Sequence, residues 1–135
     1  MYIDPHVVSM LASHFTMLKL ALAQSYKLAP HQLVVVGLLG QNGPMLFKDL
    51  RVRLSLPKSS FTFLVDGLER RGLVERIRED DDRRQWSIRL TEEGKVFVQD
   101  VDRKEAEMLE TVIAPLSDKE GSVLLNVAGQ LPGRI

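Results

Sequence analysis

The chain has no cysteine in its 135 residues. Disulfides, thiolate metal sites and thiol-based redox sensing are therefore excluded within it. Long apolar runs are missing too: none approaches the roughly 18 residues that span a bilayer. The opening MYIDPHVV has no basic stretch leading into an apolar one, so no secretory signal is expected there. A Gly-rich phosphate loop, a nucleophile elbow and a paired-carboxylate arrangement are all absent, and an enzyme is not expected. His6, His14 and His31, even with Asp4, lack metal-ligand spacing, so no metal or cofactor is expected. A net charge of zero gives no global pull toward nucleic acid.

What remains is the balance of an ordinary cytoplasmic domain, 44% apolar and 27% charged. Its length suits one domain, residues 1–135, around one core. The charge is unevenly spread. Residues 50–91 hold ten Lys and Arg against seven Asp and Glu, while residues 92–120 hold four against nine. A mildly basic middle and an acidic later segment point to two surfaces with different tasks.

Helical and strand periods divide the chain cleanly. Asp4-Pro5 opens a first helix as N-cap and first-turn proline, and Val7, Leu11, His14, Phe15, Leu18, Leu22 and Tyr26 follow at helical spacing. Pro30 opens a second, HQLVVVGLLG, apolar nearly all round and so buried. The turn QNGP ends it, and Met45 to Phe47 suits a brief strand. KDLRVRLSL makes a short third helix; Pro57 starts a fourth, KSSFTFLVDGLERRG, capped by Gly72. LVERIR and WSIRLT alternate as two strands, with Trp86, Ile88 and Leu90 on one face. Thr91 caps a long helix with Glu92 and Glu93 in its first turn, and Ser117 with Glu120 forms a capping box for a last one. The long helix has a wide apolar stripe, which a dimer would bury.

The fold class read from this order is mainly α with a small β-hairpin: a winged helix-turn-helix, the hairpin following directly on the second helix of the pair. Residues 49–95, above all LVDGLERRGLVER, then DDRR at the hairpin tip and IRLTEEG, resemble the MarR family of bacterial transcription regulators. The resemblance implies a DNA-binding lobe over 30–91 and dimerisation helices over 4–28 and 91–131. It also implies a homodimer on a pseudo-palindromic DNA duplex, with one recognition helix per half-site. Many such proteins are repressors released by a small aromatic or lipophilic effector. Such a ligand binds between the dimerisation helices and the DNA-binding lobe.

Candidate DNA contacts follow. Asp82 and Arg84 match the family's tip pattern, Asp82 holding the loop while Arg84 or Arg83 enters a minor groove or reaches a phosphate. The neighbouring acids, Glu79 to Asp81, either point away from the duplex or pair with Arg76 and Arg78. On the fourth helix the exposed N-terminal candidates are Lys58, Ser59, Ser60, Thr62 and Phe63. Phe63 and Gly67 stand where the family often has basic residues. Phe63 either packs on a thymine methyl or is core against the hairpin. Arg51, Arg53, Arg70 and Arg71 are phosphate candidates or ordinary solvated arginines. His14, Phe15, Leu18 and His31 are candidates for an effector pocket, or dimer core. A rival reading is a winged-helix protein-interaction module with weak or no sequence-specific DNA binding, which the zero net charge and Phe63 favour.

Overall fold

The computed structural model describes residues 4–81, 84–114 and 117–119, together with Ser122 and Asn126. Its elements are α1 (Pro5–Ser25), α2 (Pro30–Asn42), β1 (Met45–Leu46), α3 (Phe47–Leu54), α4 (Lys58–Arg70), β2 (Val74–Arg78), β3 (Trp86–Leu90) and α5 (Glu92–Ile113). The expected last helix falls almost wholly outside the described residues, although Asp118 and Lys119 are helical.

The local signals act as their chemistry requires. Asp4 Oδ1 accepts from the His6 amide at 2.9 Å, capping α1. Gln32 Oε1 accepts from the Ala29 amide at 2.9 Å and closes the first turn of α2. Ser55 takes a left-handed conformation (φ +54°) in the turn between α3 and α4. Gly72 does the same after α4 (φ +74°), and the Gly72 and Leu73 amides return to the Glu69 and Leu68 carbonyls.

The strands form one antiparallel sheet of order β1-β3-β2. The hairpin pairs Val74 with Leu90, Arg76 with Ile88 and Arg78 with Trp86, while β1 lays Met45 opposite Ile88. Ile88 is fully buried between these neighbours. Trp86 shares its face by alternation yet is exposed, because the hairpin there has run past the body; the Arg78 guanidinium lies 4.7 Å from its ring centroid. Beneath the sheet, Leu22, Leu33, Val36, Leu50, Phe61, Val65 and Leu68 form the core with Val98 and Val101.

Two joints tie the lobe to the long helices. At the first, Thr91 accepts from the Gly94 amide at 3.0 Å and donates to the Gly72 carbonyl at 2.5 Å, while its own amide donates to the Leu73 carbonyl at 3.1 Å. At the second, Tyr26 Oη donates to Asp100 at 2.6 Å, and its ring meets Phe97 edge-on with centroids 5.0 Å apart. Burial and that hydrogen bond push the Tyr26 phenol up to about 12. Lys19 joins Glu105 at 3.3 Å one stage further along the same two helices.

Among the described residues, exposed apolar side chains are concentrated on α1 rather than on α5. Val98 and Val101 of α5 are buried and Met108 and Leu109 are half-buried, whereas Val7, Val8, Met10, Leu11, Phe15, Met17 and Leu20 of α1 are exposed in the single chain. By length and composition α1 could also cross a bilayer, contrary to the expectation drawn from unbroken apolar runs. Lys19 is its single Lys, Arg, Asp or Glu, so scattered polar residues interrupt the run without making it hydrophilic. One such helix is weak evidence of a membrane.

Gly94 tests the first joint. A Cβ there would lie 2.0 Å from the Leu73 carbonyl oxygen, a backbone atom that cannot turn aside. Gly→Ala in a helix ordinarily gains about 1 kcal/mol. Gly94→Ala is instead expected to cost about 1–3 kcal/mol through overpacking. Urea denaturation should show a lower midpoint with unchanged slope; an unchanged or raised midpoint would mean that α5 is not seated on that carbonyl.

Candidate nucleic-acid interface

The fourth helix is amphipathic about its length. Phe61, Leu64, Val65 and Leu68 face the core, and Phe61 is anchored by Phe47 with ring centroids 4.7 Å apart. At about 100° per residue, Ser59, Phe63 and Arg70 then fall along the opposite ridge, and all three are exposed. Phe63 is 72% exposed, so it is not core in this chain. It lies two positions after Phe61, about 200° round the helix, enough to turn the two rings to opposite sides.

Beside this ridge, a cleft of about 580 Å³ runs between α3, α4 and the hairpin. Its walls include Lys48, Arg51, Lys58, Thr62, Arg84 and Trp86. Cations from three elements thus converge on one groove. Asp82 and Arg83 lie outside the described residues, and Arg84 is exposed at the start of the return strand. Lys58 and Ser60 are exposed and Thr62 is half-buried.

Several acids near this face are paired, while Asp80 and Asp81 at the hairpin tip are exposed. Arg76 pairs with Asp66 at 2.6 Å and Glu69 at 2.8 Å, both on α4. Of the two alternatives for the tip acids, pairing with Arg76 is not what the structure shows; β2 runs alongside α4, so Arg76 meets the helix acids instead. Glu79 accepts instead from the buried Ser87 hydroxyl across the hairpin. Arg89 and Glu75, directly opposed in the sheet, are joined at 2.5 Å.

Three arginines of the candidate set prove to have structural surroundings. Arg71 donates to the Tyr26 and Lys27 carbonyls at 2.9 and 3.1 Å, capping the end of α1 and so tethering α4 to it. Arg51 lines the cleft and its Nη1 lies 3.4 Å from the Leu56 carbonyl. Arg53 is half-buried, with Nη1 closed off from solvent and no hydrogen bond among the described residues. Gly67 also has a local cause: a Cβ there would meet Gln32 Nε2 at 2.7 Å, the atom that donates to the Leu64 carbonyl at 3.1 Å. No sequence signal pointed to Gln32 or to the Arg71 tether, because both join elements far apart in the chain.

The effector candidates divide. Phe15 and Leu18 line a cavity of about 290 Å³ between α1 and α5, with Leu22, Met108 and Leu109 and with the Lys19–Glu105 pair. His14 and His31 are exposed and are not in its wall.

A short helix pair followed by a hairpin that pairs with a short strand before the pair, with long helices before and after, defines a winged helix-turn-helix protein. A family model described as MarR family matches residues 26–85. The chain is 33% identical over 95 residues to YsmB of Bacillus subtilis, an uncharacterized HTH-type transcriptional regulator, covering 70% of this chain and 65% of that one. The transcriptional repressor MprA of Escherichia coli K12 is 31% identical over 64% of this chain and 49% of its own length. The matched segments thus span less than two thirds of these relatives. A MarR family protein structure from Bacillus stearothermophilus matches 96% of this chain and 95% of its own, at 26% identity and a TM-score of 0.76. Apo MarR of E. coli shares the fold at TM-score 0.80 and 19% identity, over 98% of this chain and 100% of that one. Residues 26–85 thus match the MarR family, and the fold of the chain is that of MarR proteins.

Gly67→Ala contrasts with the Gly94 change. Its obstacle is the end of a flexible side chain, and the helix gains propensity as one interhelical hydrogen bond is broken. These opposing terms are each about 1 kcal/mol. Gly67→Ala should therefore leave stability within about 1 kcal/mol of wild type, measured by urea denaturation. A loss approaching that of Gly94→Ala would show Gln32 to be immovable.

Proposed function

We propose that the chain is a homodimeric, DNA-binding transcriptional regulator that acts in the cytoplasm as a repressor at a pseudo-palindromic operator. The observation that carries this is the exposed ridge of α4 beside a groove with cationic walls, within a MarR-family winged helix-turn-helix. Lys58, Ser59, Ser60, Thr62 and Phe63 enter the major groove, and Arg70 reaches the backbone at its rim. The hairpin tip, with Asp82, Arg83 and Arg84, addresses the adjacent minor groove or its phosphates. Arg53 acts behind these as a backbone contact or a positioning group.

Two copies supply two half-sites. The exposed apolar residues of α1 support this dimer, since so much exposed apolar surface on one helix marks an interaction surface. An aromatic or lipophilic effector would enter the cavity between α1 and α5, at Phe15 and Leu18. A ligand wedged there alters the spacing of the two lobes through the Tyr26 and Thr91 joints. His14 and His31 contribute, if at all, from outside that cavity.

DNA binding is tested by selecting duplexes from a random pool and titrating the best by fluorescence anisotropy across salt. Wild type should select an inverted repeat. Arg84→Ala should weaken binding to it, lowering the salt slope by about one unit for each phosphate no longer neutralised. Selection of no duplex, with binding only to protein partners, would favour the interaction-module reading.

The dimer is tested by sedimentation equilibrium. Leu11→Glu places a charge on an exposed α1 position, so it should leave the fold intact but shift micromolar protein from dimer to monomer. Dimers that survive this change would place the interface elsewhere.

A further inference from the structure

We infer that Phe63 reads the C5-methyl group of a thymine in each half-site, and is the residue that fixes an A·T pair in the operator. The inference rests on the proposed DNA-binding function and deepens it. Phe63 is 72% exposed on the ridge of α4 opposite the core, with Ser59 one turn before it and Arg70 about two turns after it. Its neighbours on the helix N-terminal side, Lys58, Ser59 and Ser60, are cationic or hydroxyl-bearing and suit phosphates and base edges. The acid one turn on, Asp66, is held by Arg76 at 2.6 Å, which offsets its charge beside the ring.

A phenyl ring neither donates nor accepts a conventional hydrogen bond. The edges of base pairs in the major groove carry one apolar group, the thymine methyl. A ring pressed against any other edge would cover a donor or acceptor without replacing its water. Phe63 thus selects in two ways: it gains apolar contact at thymine, and it penalises the polar edges of the other bases. A basic residue at this position would ask for guanine instead. An apolar side chain here therefore changes which base is read while keeping the helix in the groove.

The test removes the methyl alone. Duplexes selected by the wild-type protein are resynthesised with deoxyuridine replacing each thymine in turn, and affinities of wild type and Phe63→Ala are compared. One thymine per half-site should be sensitive, with wild type losing roughly fourfold per half-site, the Boltzmann weight of one buried methyl group. Phe63→Ala should bind the parent duplex more weakly and be indifferent to deoxyuridine at that position. Its circular dichroism should match wild type, since the side chain lies outside the core. If wild type is insensitive at every thymine, or both proteins lose equally, the inference is overturned and the regulator reading stands. If no duplex is selected at all, the DNA-binding function fails and this inference with it.

Discussion

Thr91 is where the molecule is held together as a device. Its hydroxyl and amide reach back to the Gly72 and Leu73 carbonyls, at the turn leaving α4, and the same hydroxyl receives the Gly94 amide at the start of α5. Three elements are thereby fixed at one residue: the exposed helix ends there, the hairpin begins and ends there, and the long helix starts there. Gly94 permits this because any side chain would displace the Leu73 carbonyl. With the Arg71 tether to the end of α1, the exposed helix cannot tilt without moving both long helices. A dimer built on those helices would set the distance between two reading heads, which is what an inverted repeat measures.

The electrostatics are local. The chain as a whole is neutral, which argued against nucleic acid when the charges were only counted. Position reverses that argument. Arg76 occupies Asp66 and Glu69, Ser87 engages Glu79, and Arg89 engages Glu75. Lys48, Arg51, Lys58 and Arg84 then share one groove. Fields within about 10 Å matter most at physiological salt, so this clustering outweighs the distant acids of α5.

Much of the fold was legible because it rests on short-range chemistry. Asp4, Pro30, Gly72 and Thr91 mark element ends through bonds within a few residues, and the structure places those ends within a residue or two of expectation. The hairpin's alternation located its strands, though alternation could not say how far the sheet outruns the body, and Trp86 is exposed for that reason. What escaped was long-range. Arg76 and Arg71 look like any surface arginine until β2 lies along α4 and α4 ends against α1. Phe63 was ambiguous because apolarity predicts burial on average, while its register relative to Phe61 turns it outward. Likewise, the apolar surplus was read on α5, whereas the exposed apolar side chains among the described residues are concentrated on α1. Gly67 could not be explained before Gln32 was seen beside it.

The central claim is that α4 and the hairpin form one rigid reading surface. The most direct measurement is a two-dimensional amide NMR titration of the full chain with a duplex that it selects. The account predicts that shifts and broadening concentrate in Lys58–Phe63, Arg70 and the hairpin residues next to Arg84, with lesser changes at the Thr91 joint. Perturbations confined to α1 and α5, with α4 and the hairpin unmoved, would contradict it.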